Sequence, residues 1–231
     1  MARSLLKSRA QSNDLSRRLV TMTDPANAAS EAYLTLRTRL LNTPLTDGSP
    51  KVILITSPGS MEGKSITCAN LGVVLAQADK NVLLIDCDFR SPMIHKIFGL
   101  HNAEGIVNVL AGDRSLQEVW QESIAGLKVV PVGSAQPTHP TELLSSRRFA
   151  HFVDQVRGEK FDYVLIDSSP TQQVSDPTIL ATQGDGVLLV LDQSTRKETL
   201  RQSVRGLEAV GANILGTVMN NVKNRRGARF Y

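Results

Sequence analysis

Six short apolar runs alternate with longer helical stretches along this chain, beginning at residue 51. Each run is apolar at consecutive positions, which is typical of parallel strands that are covered by helices on both faces. The alternation predicts an α/β fold with a doubly wound, mostly parallel sheet. Because ligands of such sheets bind at the carboxyl ends of the strands, polar residues there become candidate site residues. The predicted strands are 51–56, 81–86, 127–131, 163–167, 186–191 and 214–219.

The first predicted strand leads into a loop that ends in Gly63-Lys64-Ser65, and an apolar helical run follows. This order of elements is the context of a phosphate-binding P-loop. The loop N–H groups and the helix N-terminus bind phosphate oxygens, the lysine reaches the β- and γ-phosphates, and the serine hydroxyl binds Mg²⁺. The strict pattern has glycine where Pro58 stands, so the alternative is an ordinary turn with a solvated lysine. The predicted nucleotide contacts here are Gly59, Ser60, Glu62, Gly63, Lys64, Ser65 and Ile66.

Two other predicted strands end in aspartate. Asp86 ends the strand at 81–86, with Asp88 two residues later, and Asp167 ends the strand at 163–167. Four apolar residues followed by aspartate is the Walker B form, in which the carboxylate holds Mg²⁺ directly or through water. Phosphoryl transfer to a hydroxyl also needs a carboxylate that accepts or orients the proton. The alternative for each aspartate is a helix cap or a turn former.

The chain length and the boundary signals indicate one large domain, since 231 residues suit a single α/β unit. Residues 1–23 are polar without a clear period, so they predict a flexible N-terminal segment. Asp24-Pro25 then predicts a helix start, with the aspartate as cap and the proline at the first helical position. The domain is expected to extend over residues 24–223, before a basic tail at 224–231 that ends in a tyrosine.

Composition argues against several other classes of protein. The two cysteines, Cys68 and Cys87, form no CxxC pair, which favours a reducing, cytosolic compartment over a disulfide framework or a zinc site. A membrane span needs about 20 apolar residues, far more than the run at 186–191 supplies, and the N-terminus lacks a secretory signal. The net charge of +4 is concentrated partly at the two ends, where solvated termini are favoured over contact with lipid. No nucleic-acid partner is expected, because the basic tail has few aromatic residues and no known motif.

A family resemblance is carried by the segment DCDFR at residues 86–90. It resembles the second Walker-type motif, often called Walker A′, of the bacterial tyrosine kinases (BY-kinases) of polysaccharide synthesis and export. The resemblance covers residues 27–223, and residues 30–38 are similar to the helix through which those kinases assemble. It implies a P-loop kinase domain that uses ATP and Mg²⁺.

The resemblance also implies individual roles. Lys64 and Ser65 would bind phosphate and Mg²⁺, Asp86 would be the base or orienter of the tyrosine hydroxyl, and Asp88 and Asp167 would support the metal. Two further nucleotide contacts are implied, Arg90 and Asn220, with Asn220 where related folds contact adenine. Their alternatives are an exposed arginine and a strand-end asparagine in a turn.

By the same resemblance, the chain is an ATP-dependent protein-tyrosine kinase, and an autokinase, that regulates exopolysaccharide or capsule synthesis and export. Many relatives are fused to a membrane-spanning chain-length regulator, which here would be a separate chain that holds this one at the inner face of the plasma membrane. The assembly motif of the family has arginines three and six residues after its glutamate, but Glu31 is followed by Leu34 and Arg37, so a homo-oligomer stays open. Tyr231 is the candidate phosphoacceptor, alone where relatives carry a cluster, and the alternative is that the substrate is another protein.

Two alternatives stay open. One is an ATPase switch resembling the MinD/ParA proteins. Those proteins have a signature lysine at the position of Gly59, and its absence here argues against this alternative. The other is a regulatory subunit that binds ATP with weak catalysis, which the intact set of lysine, serine and aspartates opposes.

Overall fold

The computed structural model describes residues 15–43, 51–135 and 137–222, and it places seven strands in one sheet with the order β3-β4-β2-β5-β1-β6-β7. All neighbouring strands are parallel except β3 and β4. The predicted α/β fold with a mostly parallel sheet is therefore confirmed. The strands are β1 Lys51–Thr56, β2 Val82–Asp86, β3 Gln121–Ile124, β4 Leu127–Val130, β5 Tyr163–Asp167, β6 Gly186–Asp192 and β7 Ile214–Asn220.

Strand β3 is the one described strand that the apolar pattern does not predict. Its sequence, QESI, is polar and only half buried because it forms an edge of the sheet. It pairs antiparallel with β4 across a short turn in which Gly126 has φ +84°, a left-handed conformation that favours glycine.

Helices cover both faces of the sheet and divide the core into two apolar layers. The first layer lies under α1 to α4 and includes Ile53 and Ile55 of β1, and the second lies under α5 to α10 and includes Val52 and Leu54 of the same strand. Successive residues of one strand therefore enter opposite layers, which explains why the strands are apolar throughout. The helices are α1 Val20–Thr23, α2 Ala28–Leu41, α3 Lys64–Ala76, α4 Ile94–Phe98, α5 Ile106–Ala111, α6 Leu116–Val119, α7 Pro140–Leu144, α8 Arg147–Gly158, α9 Asp176–Ala181 and α10 Lys197–Glu208.

The N-terminal part of the chain differs from the prediction in two ways. Residues 15–23 were expected within a flexible segment, but they pack on α3, with Leu19 and Thr21 buried. Helix α2 begins after Asn27 rather than after Asp24, because the Asn27 side chain accepts a hydrogen bond from the N–H of Ala29 and so caps the helix.

The register of the central strands aligns their carboxyl ends. Asp86 of β2 pairs with Asp167 of β5, and Asp167 also pairs with Ile55 of β1. The two predicted acidic strand ends therefore lie beside the loop that follows β1. Within the described ranges, every helix is too short or too polar to cross a lipid bilayer.

Candidate functional site: a phosphate-binding loop beside three aspartates

The loop between β1 and α3 has a backbone that only glycine fits at its last position. Gly63 has φ +91° and is the N-cap of α3. A Cβ atom on Gly63 would lie 1.8 Å from Nδ2 of Asn220, which donates a hydrogen bond to the carbonyl oxygen of Glu62 (3.1 Å). Asn220 thus holds the loop from the end of β7. Its expected contact with adenine stays a prediction.

Glu62 stabilises the conformation of the loop through hydrogen bonds to its carboxylate. Its buried carboxylate accepts hydrogen bonds from the N–H of Gly59 (2.7 Å) and from the hydroxyl of Thr195, which follows β6. Met61, beside it, is almost fully exposed and has φ +62°. The bracing role of Glu62 and the partner Thr195 could not be found from sequence, because 133 positions separate the two residues.

Lys64 and Asp88 form a largely buried ion pair at the start of α3, with 2.6 Å between Nζ and Oδ2. Burial alone would lower the pKa of Lys64, but Asp167 and Asp88 outweigh it, so the pKa is raised and the ammonium group stays charged. Burial would likewise raise the pKa of Asp88, but the Lys64 charge outweighs burial and lowers it. Asp88 also accepts hydrogen bonds from the Ser91 N–H and the Ser169 hydroxyl. The pair is therefore fully ionised at neutral pH.

Asp167 is fully buried, and neither of its carboxylate oxygens accepts a hydrogen bond within the described part of the chain. Burial raises the pKa of Asp167 to about 6, although Lys64 and Ser65 act in the opposite direction. A buried carboxylate whose oxygens accept no hydrogen bond is costly even with the Lys64 charge nearby. Such an orphaned acceptor fits a site for Mg²⁺ or for a metal-bound water. Within the described ranges, no group of three or more His, Cys, Asp or Glu side chains could hold a metal by itself, so Mg²⁺ would arrive with phosphate oxygens and waters as its other ligands.

Asp86 is fully buried beside these residues, and its carboxylate faces the backbone. Its Oδ1 accepts from the N–H of Asp88, and its Oδ2 accepts from the N–H groups of Met93 and Ile94, each at 3.1 Å. Burial, followed by the charge of Asp167, raises the pKa of Asp86 well above its ordinary value. Asp86 therefore shapes the segment between β2 and α4, whereas Asp88 reaches the cleft. A catalytic role for Asp86 stays a prediction.

Arg90 is anchored by a residue that sequence reasoning missed. Its Nε lies 3.4 Å from Oδ2 of Asp176, a fully buried carboxylate at the start of α9. The other oxygen of Asp176 accepts a hydrogen bond from the hydroxyl of Thr141 in α7 (2.5 Å). Arg90 itself is half exposed and lines the cleft next to the P-loop. A lone aspartate before a proline gave no signal of this role.

A cleft of about 390 Å³ lies over the P-loop. The predicted site residues that line it are Ser60, Gly63, Lys64, Ser65, Ile66, Asp88 and Arg90. The other predicted site residues do not line this cleft: Gly59, Glu62, Asn220, Asp86 and Asp167. A second cavity of about 310 Å³, on the side of Glu62, is bounded by the P-loop and the start of α10. Tyr231 lies outside the described residues.

Comparison with known proteins identifies the family to which this fold belongs. The family model for the CobQ/CobB/MinD/ParA nucleotide binding domain matches residues 53–231. Tyrosine-protein kinase YwqD of Bacillus subtilis is 36% identical over 90% of this chain and 88% of its own length, and the putative tyrosine-protein kinase CapB of Staphylococcus aureus is 30% identical over 90% of each chain. Other relatives are longer: the chain spans 26% of tyrosine-protein kinase Ptk of Acinetobacter johnsonii and 29% of Wzc of Salmonella typhi.

Solved structures of bacterial tyrosine kinases and of a MinD protein share the fold of this chain. The chimerical protein CapA2B2 superposes with a TM-score of 0.83 at 30% identity, covering 90% of this chain and 91% of that one. The kinase domain of the Escherichia coli tyrosine kinase Etk gives 0.83 at 29% identity, covering 92% and 83%. MinD of Pyrococcus horikoshii, solved with Mg-ADP, shares the fold at a TM-score of 0.63 and 23% identity, covering 74% and 70%.

The sheet order, the P-loop and the family match define a nucleotide-binding protein of the CobQ/CobB/MinD/ParA class. Within that class, the identity and coverage shared with YwqD and CapB show that the chain belongs to the bacterial tyrosine-protein kinases. The predicted family is therefore confirmed.

Proposed function

We propose that this chain transfers the γ-phosphoryl group of ATP, with Mg²⁺, to tyrosine hydroxyls, and that it regulates the synthesis and export of an exopolysaccharide or capsule. The observation that carries the proposal is the buried Lys64–Asp88 pair beside the unpartnered Asp167 at the aligned ends of β1, β2 and β5. That arrangement supplies a fixed positive charge for phosphate and a carboxylate for a metal or its water. Family membership supplies the acceptor class.

Each residue has a distinct task in this proposal. Bound MgATP supplies the phosphoryl group. Lys64 places its charge at the β- and γ-phosphates, and Ser65 offers its hydroxyl as a metal ligand. Asp167 and Asp88 would hold the metal or its waters. Asp86 fixes the backbone from which Asp88 projects, and it would receive or orient the proton of the acceptor hydroxyl. Arg90, steadied by Asp176, lies at the cleft where the acceptor would enter.

The proposed partner is a membrane-bound chain-length regulator on a separate chain, which would hold the kinase at the cytoplasmic face of the membrane. Assembly with further copies is also proposed, through α2. In the structure, Arg37 of that helix donates a hydrogen bond to the carbonyl oxygen of Val74 within the same chain (3.2 Å), whereas Glu31 is exposed. Glu31 is therefore the residue of the assembly motif that is free to meet a neighbour.

The function can be tested by incubating the chain with ATP and Mg²⁺, with and without the cytoplasmic parts of candidate regulators, and by mapping phosphopeptides. We expect phosphotyrosine at Tyr231, because the side chains of Tyr33 and Tyr163 are buried. The variant Tyr231→Phe should then lose self-phosphorylation yet keep activity on added tyrosine peptides. Hydrolysis of ATP with no phosphotyrosine on any substrate would favour a MinD/ParA-like switch, and nucleotide binding without turnover would favour a regulatory subunit.

Replacing Asp86 by asparagine separates catalysis from nucleotide binding. We expect turnover to fall by about 10²- to 10⁴-fold, the usual contribution of a general base, with a much smaller change in ATP affinity. The amide would also oppose one of the N–H groups now bound to the carboxylate, but it removes a buried charge whose pKa is raised, so the free energy of unfolding should fall by less than the cost of one lost buried hydrogen bond, about 1 to 3 kcal/mol. Steady-state kinetics, nucleotide titration and urea unfolding measure the three effects. Equal losses in turnover and affinity would leave Asp86 a purely structural or metal-supporting residue.

A further inference from the structure

Residues 15–23 are fixed to the helix that follows the P-loop by one fully buried side chain, Asn70. Its Oδ1 accepts hydrogen bonds from the N–H (3.2 Å) and the hydroxyl (2.9 Å) of Thr21. Its Nδ2 donates to the carbonyl oxygens of Arg18 (3.0 Å) and of Ile66 in α3 (2.9 Å). A buried amide with all these bonds satisfied is a strong positional constraint. The backbone of Arg18 is therefore held at a set place beside α3.

That place is the wall of the cleft over the P-loop. Leu15 and Arg18 line the same 390 Å³ cavity as Lys64, Ser65 and Asp88. The segment before α2 thus forms part of the wall of the nucleotide site, together with residues that follow β2 and β5. Nothing in the local sequence RRLV indicates this, because the contact depends on how the segment folds back on α3.

The charges of the cleft distinguish Arg18 from the other cations that line it. Lys64 is held by Asp88 at 2.6 Å, and Arg90 lies 3.4 Å from the buried Asp176. Across the residues that the structure describes, no carboxylate pairs with the guanidinium group of Arg18. An arginine with a fixed backbone, an exposed guanidinium group of several donors and no paired carboxylate among the described residues is suited to bind a phosphate group that enters the cleft.

We propose that Arg18 is a phosphate-binding residue of the active site, contacting the terminal phosphate of ATP from the N-terminal segment. The assignment to the terminal phosphate is argued from the cavity that Arg18 shares with Lys64, the lysine expected at the β- and γ-phosphates, and with Asp88. The inference rests on the proposed binding of ATP but not on transfer to tyrosine.

The test is titration of Arg18→Gln with Mg²⁺ and either a non-hydrolysable ATP analogue or ADP. The matched control is Arg17→Gln, which removes the same charge from the neighbouring exposed arginine that does not line the cleft. We expect Arg18→Gln to bind the ATP analogue about tenfold more weakly and ADP less than about twofold more weakly, and Arg17→Gln to match the parent. Equal behaviour of the two variants, or equal losses for both nucleotides, overturns the proposal.

A second variant tests whether the attachment of residues 15–23 to α3 positions Arg18. Thr21→Val removes one hydroxyl that donates to Asn70 while keeping the side-chain shape. We expect it to weaken binding of the ATP analogue in the parent chain but not in the Arg18→Gln chain, because it acts by displacing Arg18. Equal weakening in both backgrounds would show a general structural effect and contradict the proposal. Since only binding is measured, a parent chain that binds the analogue but phosphorylates no tyrosine would count against the proposed function alone.

Discussion

A chain with methionine in place of Lys64 is expected to lose phosphoryl transfer by at least about 10²-fold and to bind MgATP about tenfold more weakly. The substitution keeps the length of the side chain but removes the charge that faces the β- and γ-phosphates. Removing one preorganised donor from a transition state costs about 10²- to 10³-fold in rate. Phosphopeptide formation and nucleotide titration measure the two losses.

The same substitution leaves Asp88 without its ion-pair partner, so folding must be measured alongside activity. Breaking a buried pair by removing one member is strongly destabilising, although Ser91 and Ser169 still donate to Asp88. The double variant Lys64→Met/Asp88→Asn should recover part of the lost stability without recovering activity. Lys197→Met, at an exposed position of α10, is the matched control and should behave as the parent. Parent-like transfer by the single variant would remove Lys64 from the mechanism.

The interior strands were predictable because each one places side chains in both apolar layers. Runs such as the one that ends at Asp167 are apolar for that reason. The structure places all six predicted strands, the five interior ones and the edge strand β7, within one residue of their expected bounds. The edge strand β3 has neither the apolar run nor a strict alternation, so its pairing with β4 is visible only in three dimensions. The cap at Asn27 competes with an equally reasonable one at Asp24, and local propensity does not decide between them.

The site residues likewise fall into those that the sequence predicts and those that only the structure shows. Lys64, Ser65, Asp88 and Asp167 follow from motifs whose spacing is local, and the strand register brings them together. Asp176 and Thr195 come from distant elements, and each acts through a residue of the motif rather than on the ligand. Asp86 shows a further limit: its position was predictable, but its three backbone hydrogen bonds depend on the turn of the chain before α4.

Asparagine in place of Asp167 is expected to make the nucleotide-free chain more stable at pH 7.5 and to lower Mg²⁺-dependent transfer by about 10²-fold. The activity loss follows because the unpartnered carboxylate is the proposed acceptor for the metal or its water. The stability gain follows because a buried carboxylate without hydrogen bonds opposes folding. Its pKa is about 6 in the folded chain against an ordinary 3.8, so at neutral pH the charged form costs on the order of 3 kcal/mol. A buried amide is not free of cost either, so the net gain should be about 1 to 2 kcal/mol.

The pH dependence of this gain identifies its cause. Because the folded chain binds the Asp167 proton more tightly than the unfolded chain does, the contribution of this group to stability falls as the pH rises from about 4 to about 6 and is constant above that. The difference in the free energy of unfolding between Asp167→Asn and the parent should therefore grow through that window and then level off. Urea unfolding at several pH values measures it, with Asp154→Asn, at an exposed position of α8, as the control that should show no such trend. MgATP should reverse the order, stabilising the parent more than the variant, because only the parent offers the Asp167 carboxylate, beside that of Asp88, to the metal or its water. A variant that is less stable than the parent at every pH, or equally responsive to MgATP, would show that Asp167 supports the fold rather than the metal.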